Sequence, residues 1–300
     1  MTAEPRLRAF LGRRWQRRQA GGAQDSASST DKRRPRSILP SSGVRALRRD
    51  GFAGPERSPA RDARPAFYAL RAGGWRDYVT LVHPPYTLWH LSYVAIGAGL
   101  APEFQWGRFG AVTAAFFLAV GLGAHALDEL TGRPLRTRIP APLLVVIGAT
   151  SVAAAIGIGI AGAVFYNLWL LAFVVFGGLI VVVYNLELLG GRFHNATWFA
   201  LAWGAFPALT GYFTMAERIR PEAVLAAAYA FLLSLAQHRL SGAVRMVRRR
   251  ATEVGGTIAF ADGSREEIGP ETLLRAPEGA LQILTGATTA LALALVLLHL

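Results

Sequence analysis

Long apolar stretches alternate with short polar segments over the last three quarters of the chain. A helix needs about 20 mainly apolar residues to cross about 30 Å of hydrocarbon. Glycine and alanine recur in these stretches, as in GAGL, GLGA and GIGIAGA, which favours close packing of helices in a bundle. The pattern predicts an all-α integral membrane bundle over residues 78–300 with about seven spans, at 79–101, 109–128, 141–163, 167–189, 197–215, 221–241 and 279–300.

A different pattern lies between the sixth and seventh apolar stretches. Polar and apolar residues alternate over 257–261 and again over 264–268, and Asp262-Gly263 lies between the two runs. This arrangement predicts a β-hairpin. Because a single hairpin is marginally stable alone, we expect it to pack on the bundle as a small cytoplasmic cap at about 252–270.

The first 77 residues have few apolar runs and are strongly basic. They hold 18 of the 32 Lys and Arg residues against seven acids, a net +11 of the total +13. Such a segment buries too little apolar surface to offset its ordering entropy, so it is predicted to be a disordered arm, residues 1–77. Its charge suits the anionic inner leaflet of the bilayer. No aromatic interleaving or folded basic domain follows, so no nucleic-acid partner is expected.

The distribution of basic residues predicts an orientation in the membrane. With the arm in the cytoplasm, the inside segments hold 29 Lys and Arg residues and the outside loops hold three: Arg108, Arg218 and Arg220. This asymmetry follows the positive-inside rule. The protein is therefore predicted to be a multi-pass protein of the cell membrane with a cytoplasmic N-terminus. The absence of cysteine excludes disulfides and thiolate chemistry.

The second apolar stretch ends in HALDELTGRPLRTRIP, which concentrates ionisable groups at the cytoplasmic side. Helical spacing brings His125 and at least one of the carboxylates of Asp128 and Glu129 onto one face. Carboxylates at such a position bind magnesium, which bridges to a diphosphate, and arginines contact the phosphate oxygens. The alternative is a stop-transfer flank with an internal Glu–Arg pair. The arginines concerned are Arg133, Arg136 and Arg138.

Two further span ends carry polar groups. Tyr184 lies near the end of the fourth stretch, beside Asn185, and is a candidate for orienting an acceptor or acting as a general base, or else an interfacial aromatic residue. Gln237 and Arg245 belong to a polar stripe at the end of the sixth stretch, with Arg239 beside it. The arginine run that follows is also typical of a positive-inside anchor.

In order and spacing these segments resemble the UbiA-type membrane prenyltransferases over about residues 78–250. LVHPPYTLWHLSYVAIGAGL is similar to that family's first helix, and HALDEL with RPLRTRIP is similar to its first Asp-rich motif. YNLELLGG and WGAFPALTGYF fall where the family has its tyrosine-containing loop and fifth helix. The resemblance implies an all-helical enzyme that transfers an isoprenyl group from an isoprenyl diphosphate to an acceptor, with magnesium as cofactor.

Carried over by position, the resemblance makes Asp128 and Glu129 magnesium ligands and catalytic residues, and Tyr184 a neighbour of the acceptor. His125, Asn185 and Gln237 are supporting polar groups. Diphosphate-binding residues would be Arg133, Arg136, Arg138, Arg239 and Arg245.

The chain departs from the family pattern at both motifs. Gly132 and Arg133 stand where later aspartates are expected, and Gln237, Ser241 and Arg245 stand near the expected second Asp-rich motif. Three hypotheses follow: a divergent prenyltransferase, an inactive relative that binds an isoprenoid lipid or scaffolds partners, and a small-molecule transporter. Almost wholly apolar span interiors without a visible repeat disfavour the transporter.

Overall fold

The structure, a computed structural model, describes residues 64–300, which form a helical bundle with one small hairpin. The helices are α1 (Trp75–Leu81), α2 (Pro84–Gly99), α3 (Trp106–Leu130), α4 (Ala141–Phe165), α5 (Leu170–Asn185), α6 (196–216), α7 (Pro221–Arg250) and α8 (Pro270–Leu297). A short 3₁₀ turn, Leu189–Gly191, follows α5. Three helices contain wider, π-helical turns: Phe117–Ala124 in α3, Leu201–Ala205 in α6 and Met246–Arg250 in α7.

Four of the helices, α3, α4, α7 and α8, are long and apolar enough to cross a membrane, and α5 is a shorter apolar helix. By length and composition they indicate a membrane protein. A helix occupies each of the seven stretches predicted as spans, from α2 to α8. That all seven cross a bilayer remains a prediction.

The outer faces of the long helices are apolar. Only 17% of the most apolar window of α4 is buried, and its Val146 and Ile160 are exposed. On α8, Ile283 and Leu293 are likewise exposed. Contiguous exposed apolar surface of this kind is typical of helices that contact lipid.

Helix α2 lies at the centre of the bundle, between α6 and α8. Gly97 and Gly211 let α2 and α6 approach closely, because a Cβ atom on either glycine would overlap a backbone carbonyl of the other helix. Trp89 donates from Nε1 to the Tyr93 hydroxyl at 2.6 Å, and Ser234 of α7 donates to the same oxygen at 3.2 Å. Small residues and a shared polar group therefore join three helices at the core.

The predicted extent of the disordered arm is wrong for residues 64–77, and the rest of the arm lies outside the described residues. Residues 64–70, called the strap below, pack against the bundle, and α1 begins at Trp75. Asp77 is buried and accepts hydrogen bonds from the backbone N–H groups of Gly73 and Arg138. The basic composition of this segment predicted disorder, but its contacts with the bundle are made by backbone and aromatic groups, which a count of charges does not register.

The predicted hairpin is present between α7 and α8. Strands β1 (Thr257–Ala259) and β2 (Arg265–Glu267) pair in antiparallel register, with Ile258 opposite Glu266. All six strand residues are exposed, so packing of the hairpin on the bundle is not seen. Its role as a cap remains a prediction.

Candidate functional site

A polar cavity of about 290 Å³ lies among the span ends that carry the predicted site residues. The walls come from the strap, the α1–α2 junction and helices α2, α3, α5, α6 and α7. The lining side chains with polar or aromatic groups are Phe67, Tyr68, His83, Tyr86, His90, His125, Asp128, Tyr184, Asn185, His194, Phe199, Trp203, Gln237, His238, Ser241, Arg245 and Arg249.

Six of the residues predicted from the sequence line this one cavity. They are His125, Asp128, Tyr184, Asn185, Gln237 and Arg245, which lie on three helices far apart in the chain. Asn185 is buried and donates from its amide to the Val181 carbonyl at 2.7 Å, which orients its side chain. The polar ends of α3, α5 and α7 thus form a single candidate site.

Glu129 does not line the cavity, which corrects its predicted role as catalytic residue and magnesium ligand. Its buried carboxylate accepts hydrogen bonds from the backbone N–H groups of Leu135 and Thr137, both at 2.9 Å. The Thr137 hydroxyl donates to it at 2.8 Å. These contacts occupy both carboxylate oxygens and hold the α3–α4 loop against the end of α3.

The three loop arginines do not line the cavity either. Arg133 folds back on its own loop, where its guanidinium donates to the carbonyls of Thr137 and Ile139 at 3.4 and 2.6 Å. Arg136 and Arg138 are exposed, as is Arg239 on α7. None of these four arginines lines the cavity, so their predicted role in diphosphate binding is not supported.

Arg249 is a cavity residue that sequence reasoning treated as part of a membrane anchor. Together with Arg245 it gives the cavity two guanidinium groups against one carboxylate, Asp128, among its described lining residues. Arg245 donates from Nη1 to the Ser241 hydroxyl at 2.9 Å, which leaves its other N–H groups available. This excess of positive charge favours an anionic ligand.

Five of the six histidines in the sequence line the cavity. His83 and His125 stack with ring centroids 4.0 Å apart and planes inclined by 11°. The Tyr184 ring lies 4.5 Å from His194, whose Nδ1 donates to the Tyr184 carbonyl at 3.1 Å. Only His125 was predicted. His83 and His90 stand within an apolar stretch, and ionisable residues at such positions are a sequence signal for function.

A proline creates the wide turn that carries Trp203 into the cavity wall. Pro207 has no N–H to donate to the carbonyl of Trp203, four residues earlier, so the helix cannot close its regular hydrogen bond there. The π-helical segment Leu201–Ala205 forms at this point, and His90 Nδ1 donates to the freed carbonyl at 2.7 Å. The other two π-helical segments adjoin His125 and contain Arg249. Interruptions of this kind often occur at functional sites.

The strap covers one side of the cavity. Arg249 donates from Nε to the Pro65 carbonyl at 3.1 Å, and the Leu70 N–H donates to the Thr80 hydroxyl at 3.0 Å. Phe67 packs edge-on against Tyr86 with centroids 6.4 Å apart. Backbone, aromatic and charged contacts therefore fasten the strap to three parts of the bundle.

An apolar groove of about 130 Å³ shares one lining residue with the polar cavity, Trp203. Helices α3, α4, α5 and α6 form its walls, with Phe116, Ile156 and Phe206 among its side chains. Glycines of α4 and α5, including Gly159 and Gly177, also line it. An added Cβ would overlap Val174 at Gly159 and crowd the Phe206 ring at Gly177, so these glycines let the side chains of the groove lie close to the helix backbones.

The described residues do not fit a resident magnesium ion. No group of three or more His, Asp or Glu side chains within residues 64–300 is arranged to hold a metal. Asp128 is the one carboxylate among the described cavity residues, and Glu129 is engaged by the loop. Magnesium prefers several oxygen ligands, so the described cavity residues alone offer too few.

Comparison of the chain with protein-family models, curated proteins and solved structures finds no match.

Proposed function

We propose that this protein is a divergent membrane prenyltransferase that binds an isoprenyl diphosphate across the two spaces that Trp203 lines. The diphosphate would occupy the polar cavity and the isoprenyl tail the apolar groove. The observation that supports this most is that Trp203 lines both spaces. A lipid with an anionic head group needs both a polar and an apolar space, because the head group is then buried among polar groups and the tail among apolar side chains.

The proposed reaction breaks the carbon–oxygen bond of the isoprenyl diphosphate, and the electron pair leaves with diphosphate. The acceptor forms a new bond to the isoprenyl carbon and releases a proton. Arg245 and Arg249 stabilise the charge of the leaving group, and Asp128 accepts the proton. The rings of Tyr184 and Trp203, with centroids 4.6 Å apart, stabilise the carbocation by their π faces.

In the proposed topology α2 to α8 cross the membrane and the N-terminus lies in the cytoplasm. The distribution of basic residues, 29 against three, supports the orientation. His299 donates from Nε2 to the carbonyl of Gly99, so the C-terminal ends of α2 and α8 lie at the same end of the bundle. The first and last helices therefore run in the same direction, which supports an odd number of crossings. The basic arm would then meet the anionic inner leaflet.

The second candidate is a protein that binds an isoprenoid lipid without turning it over. The engagement of Glu129 by the loop favours it, because only Asp128 remains to support metal-assisted ionisation among the described cavity residues. The two candidates share the binding mode and differ in whether the carbon–oxygen bond is broken.

Binding and turnover can be measured separately with purified protein in lipid nanodiscs. Farnesyl diphosphate and farnesol serve as probes, with and without magnesium. We expect the diphosphate to bind at least about tenfold tighter than the alcohol, since contacts to charged groups contribute about 1.5–3 kcal/mol each. Arg249→Gln should remove most of this difference, whereas Arg239→Gln, at an exposed position outside the cavity, should retain it.

Release of diphosphate distinguishes the two candidates. Release of diphosphate that Arg249→Gln abolishes at saturating farnesyl diphosphate would support the transferase. Tight binding without release under any condition would support the lipid-binding alternative. Equal affinity for farnesyl diphosphate and farnesol would contradict both.

A further inference from the structure

Two buried polar atoms of residues that line the cavity have no hydrogen-bond partner within residues 64–300: Nε2 of His83 and Oε1 of Gln237. The two residues are only 9% and 2% exposed. A buried polar atom without a hydrogen-bond partner destabilises the fold. Native proteins rarely retain such atoms without a reason, and here both residues line the same cavity.

The strap determines what His83 can offer. The Tyr68 hydroxyl lies 2.9 Å from Nδ1 of His83. Among the described residues the Tyr68 hydroxyl has this one hydrogen-bond partner, so donation to Nδ1 is the arrangement that pairs the phenol hydrogen. A neutral imidazole has one donor and one acceptor nitrogen, so Nε2 carries the hydrogen and is a donor.

The cavity therefore presents a donor on His83 and an acceptor on Gln237. An ionised phosphate or carboxylate accepts hydrogen bonds but has no hydrogen for Gln237, and an ammonium group donates but cannot accept from His83. An uncharged hydroxyl group does both. Phe67, Tyr86 and Phe199 line the same cavity and provide apolar contacts for a carbon skeleton.

We infer that His83 and Gln237 form a subsite for an uncharged hydroxylated molecule, separate from the arginine side of the cavity. Tyr68 is a positioning residue, which acts by holding His83 in its donor tautomer. Identifying the bound molecule as the acceptor substrate rests on the proposed function; the subsite itself rests on the two unpartnered atoms.

The test compares benzyl alcohol with benzyl methyl ether, two uncharged probes that differ in the O–H group. Binding to the full chain in nanodiscs is measured by ligand-observed NMR titration, without any diphosphate. We expect the wild type to bind the alcohol about tenfold tighter, because the ether leaves Gln237 without a donor. Gln237→Met should bring the ratio of affinities close to one. Gln282→Met, at an exposed position on α8, is the matched control and should keep the ratio.

Tyr68→Phe provides a second, independent variant. It removes the donor to Nδ1 and should reduce the preference for the alcohol several-fold; a general loss of stability would weaken both probes equally. Equal affinity of wild type for the two probes, or an unchanged preference in both Gln237→Met and Tyr68→Phe, would overturn the subsite. Because no diphosphate is present, the subsite can fail while the proposed prenyl transfer stands, and the reverse also holds.

Discussion

Asp128 and Glu129 are neighbours on α3, yet their carboxylates face different surroundings. Successive residues of a helix point about 100° apart, so one side chain lines the cavity while the next reaches the loop. The same division separates Arg249, which lines the cavity, from the exposed Arg250. The charge of a residue near these helix ends therefore says little about its role. The direction in which its side chain points around the helix axis determines whether it lines the cavity.

Substitution Glu129→Gln tests the structural role of this residue. An amide at this position would place an NH₂ group against the N–H donors of Leu135 and Thr137, so at least one hydrogen bond is lost in a buried site. We expect a loss of about 2 kcal/mol in stability, measured by unfolding in detergent. Farnesyl diphosphate binding by the folded fraction should be unchanged.

Glu253→Gln, at an exposed position after α7, is the control and should leave the melting temperature unaltered. Loss of ligand affinity in Glu129→Gln without any loss of stability would contradict the structural role and indicate that Glu129 takes part in ligand binding.

At the scale of elements, the strap is the part whose movement would open the cavity. It joins the Arg249 side chain, the α1–α2 junction and the α3–α4 loop, where Ala66, Ala69 and Leu135 form a small apolar cluster. An anionic ligand would compete with the Pro65 carbonyl for Arg249. Ligand binding and strap position should therefore be coupled.

A cysteine pair can test this coupling, because the chain has no cysteine of its own. Ala69→Cys combined with Leu135→Cys should permit a cross-link that holds the strap closed. We expect cross-linked protein to take up and release farnesyl diphosphate more slowly than reduced protein, measured by stopped-flow fluorescence. Each single variant treated with the same oxidant is a control, and identical exchange rates before and after reduction would contradict a gating strap.

The contact between α2 and α6 is predicted to be sensitive to added volume. In Gly97→Ala the new methyl group would overlap the Ala208 carbonyl, and backbone cannot move aside as a flexible side chain can. We expect a loss of about 3 kcal/mol, within the range for overpacked cores.

Gly286→Ala is the matched control on α8, where an added Cβ meets open space. It should be neutral or stabilising, since alanine is favoured over glycine by up to about 1 kcal/mol within a helix. Thermal unfolding of both variants measures the difference, and similar melting temperatures would contradict the close contact.

On the scale of the whole molecule, polar groups separate toward two ends of the bundle. At one end Arg108 contacts Glu217 at 2.7 Å and lies 4.2 Å from the Tyr166 ring centroid. The other end carries the cavity and the ion pair between Arg248 and Glu278. The proposed orientation assigns the second end to the cytoplasm.

Labelling with a membrane-impermeant maleimide on intact cells checks this orientation. Arg218→Cys, in the exposed loop before α7, should react, whereas Glu266→Cys in the hairpin should react only after the membrane is permeabilised. Both positions are exposed, so a difference reports the side of the membrane. The reverse pattern would invert the topology and place the cavity outside the cell.

The lengths of the apolar stretches were sufficient to predict the helices α2 to α8, and the alternation of polar and apolar residues was sufficient to predict the hairpin, because length and local pattern determine where such elements form. Motif spacing also located six cavity residues, since each lies where a span ends. It could not separate Asp128 from Glu129, or Arg249 from its neighbours. Those assignments depend on how each helix is rotated in the bundle.

Local composition thus determined the apolar helices and the basic excess, because hydropathy and charge are properties of each segment by itself. Tertiary structure alone decided that Tyr68, His83 and Gln237 meet in one cavity, because they lie on segments separated by many residues. It likewise assigned Glu129 to the loop. Hydrogen bonds between distant segments select one arrangement among the many that the same pattern of apolar and polar residues allows.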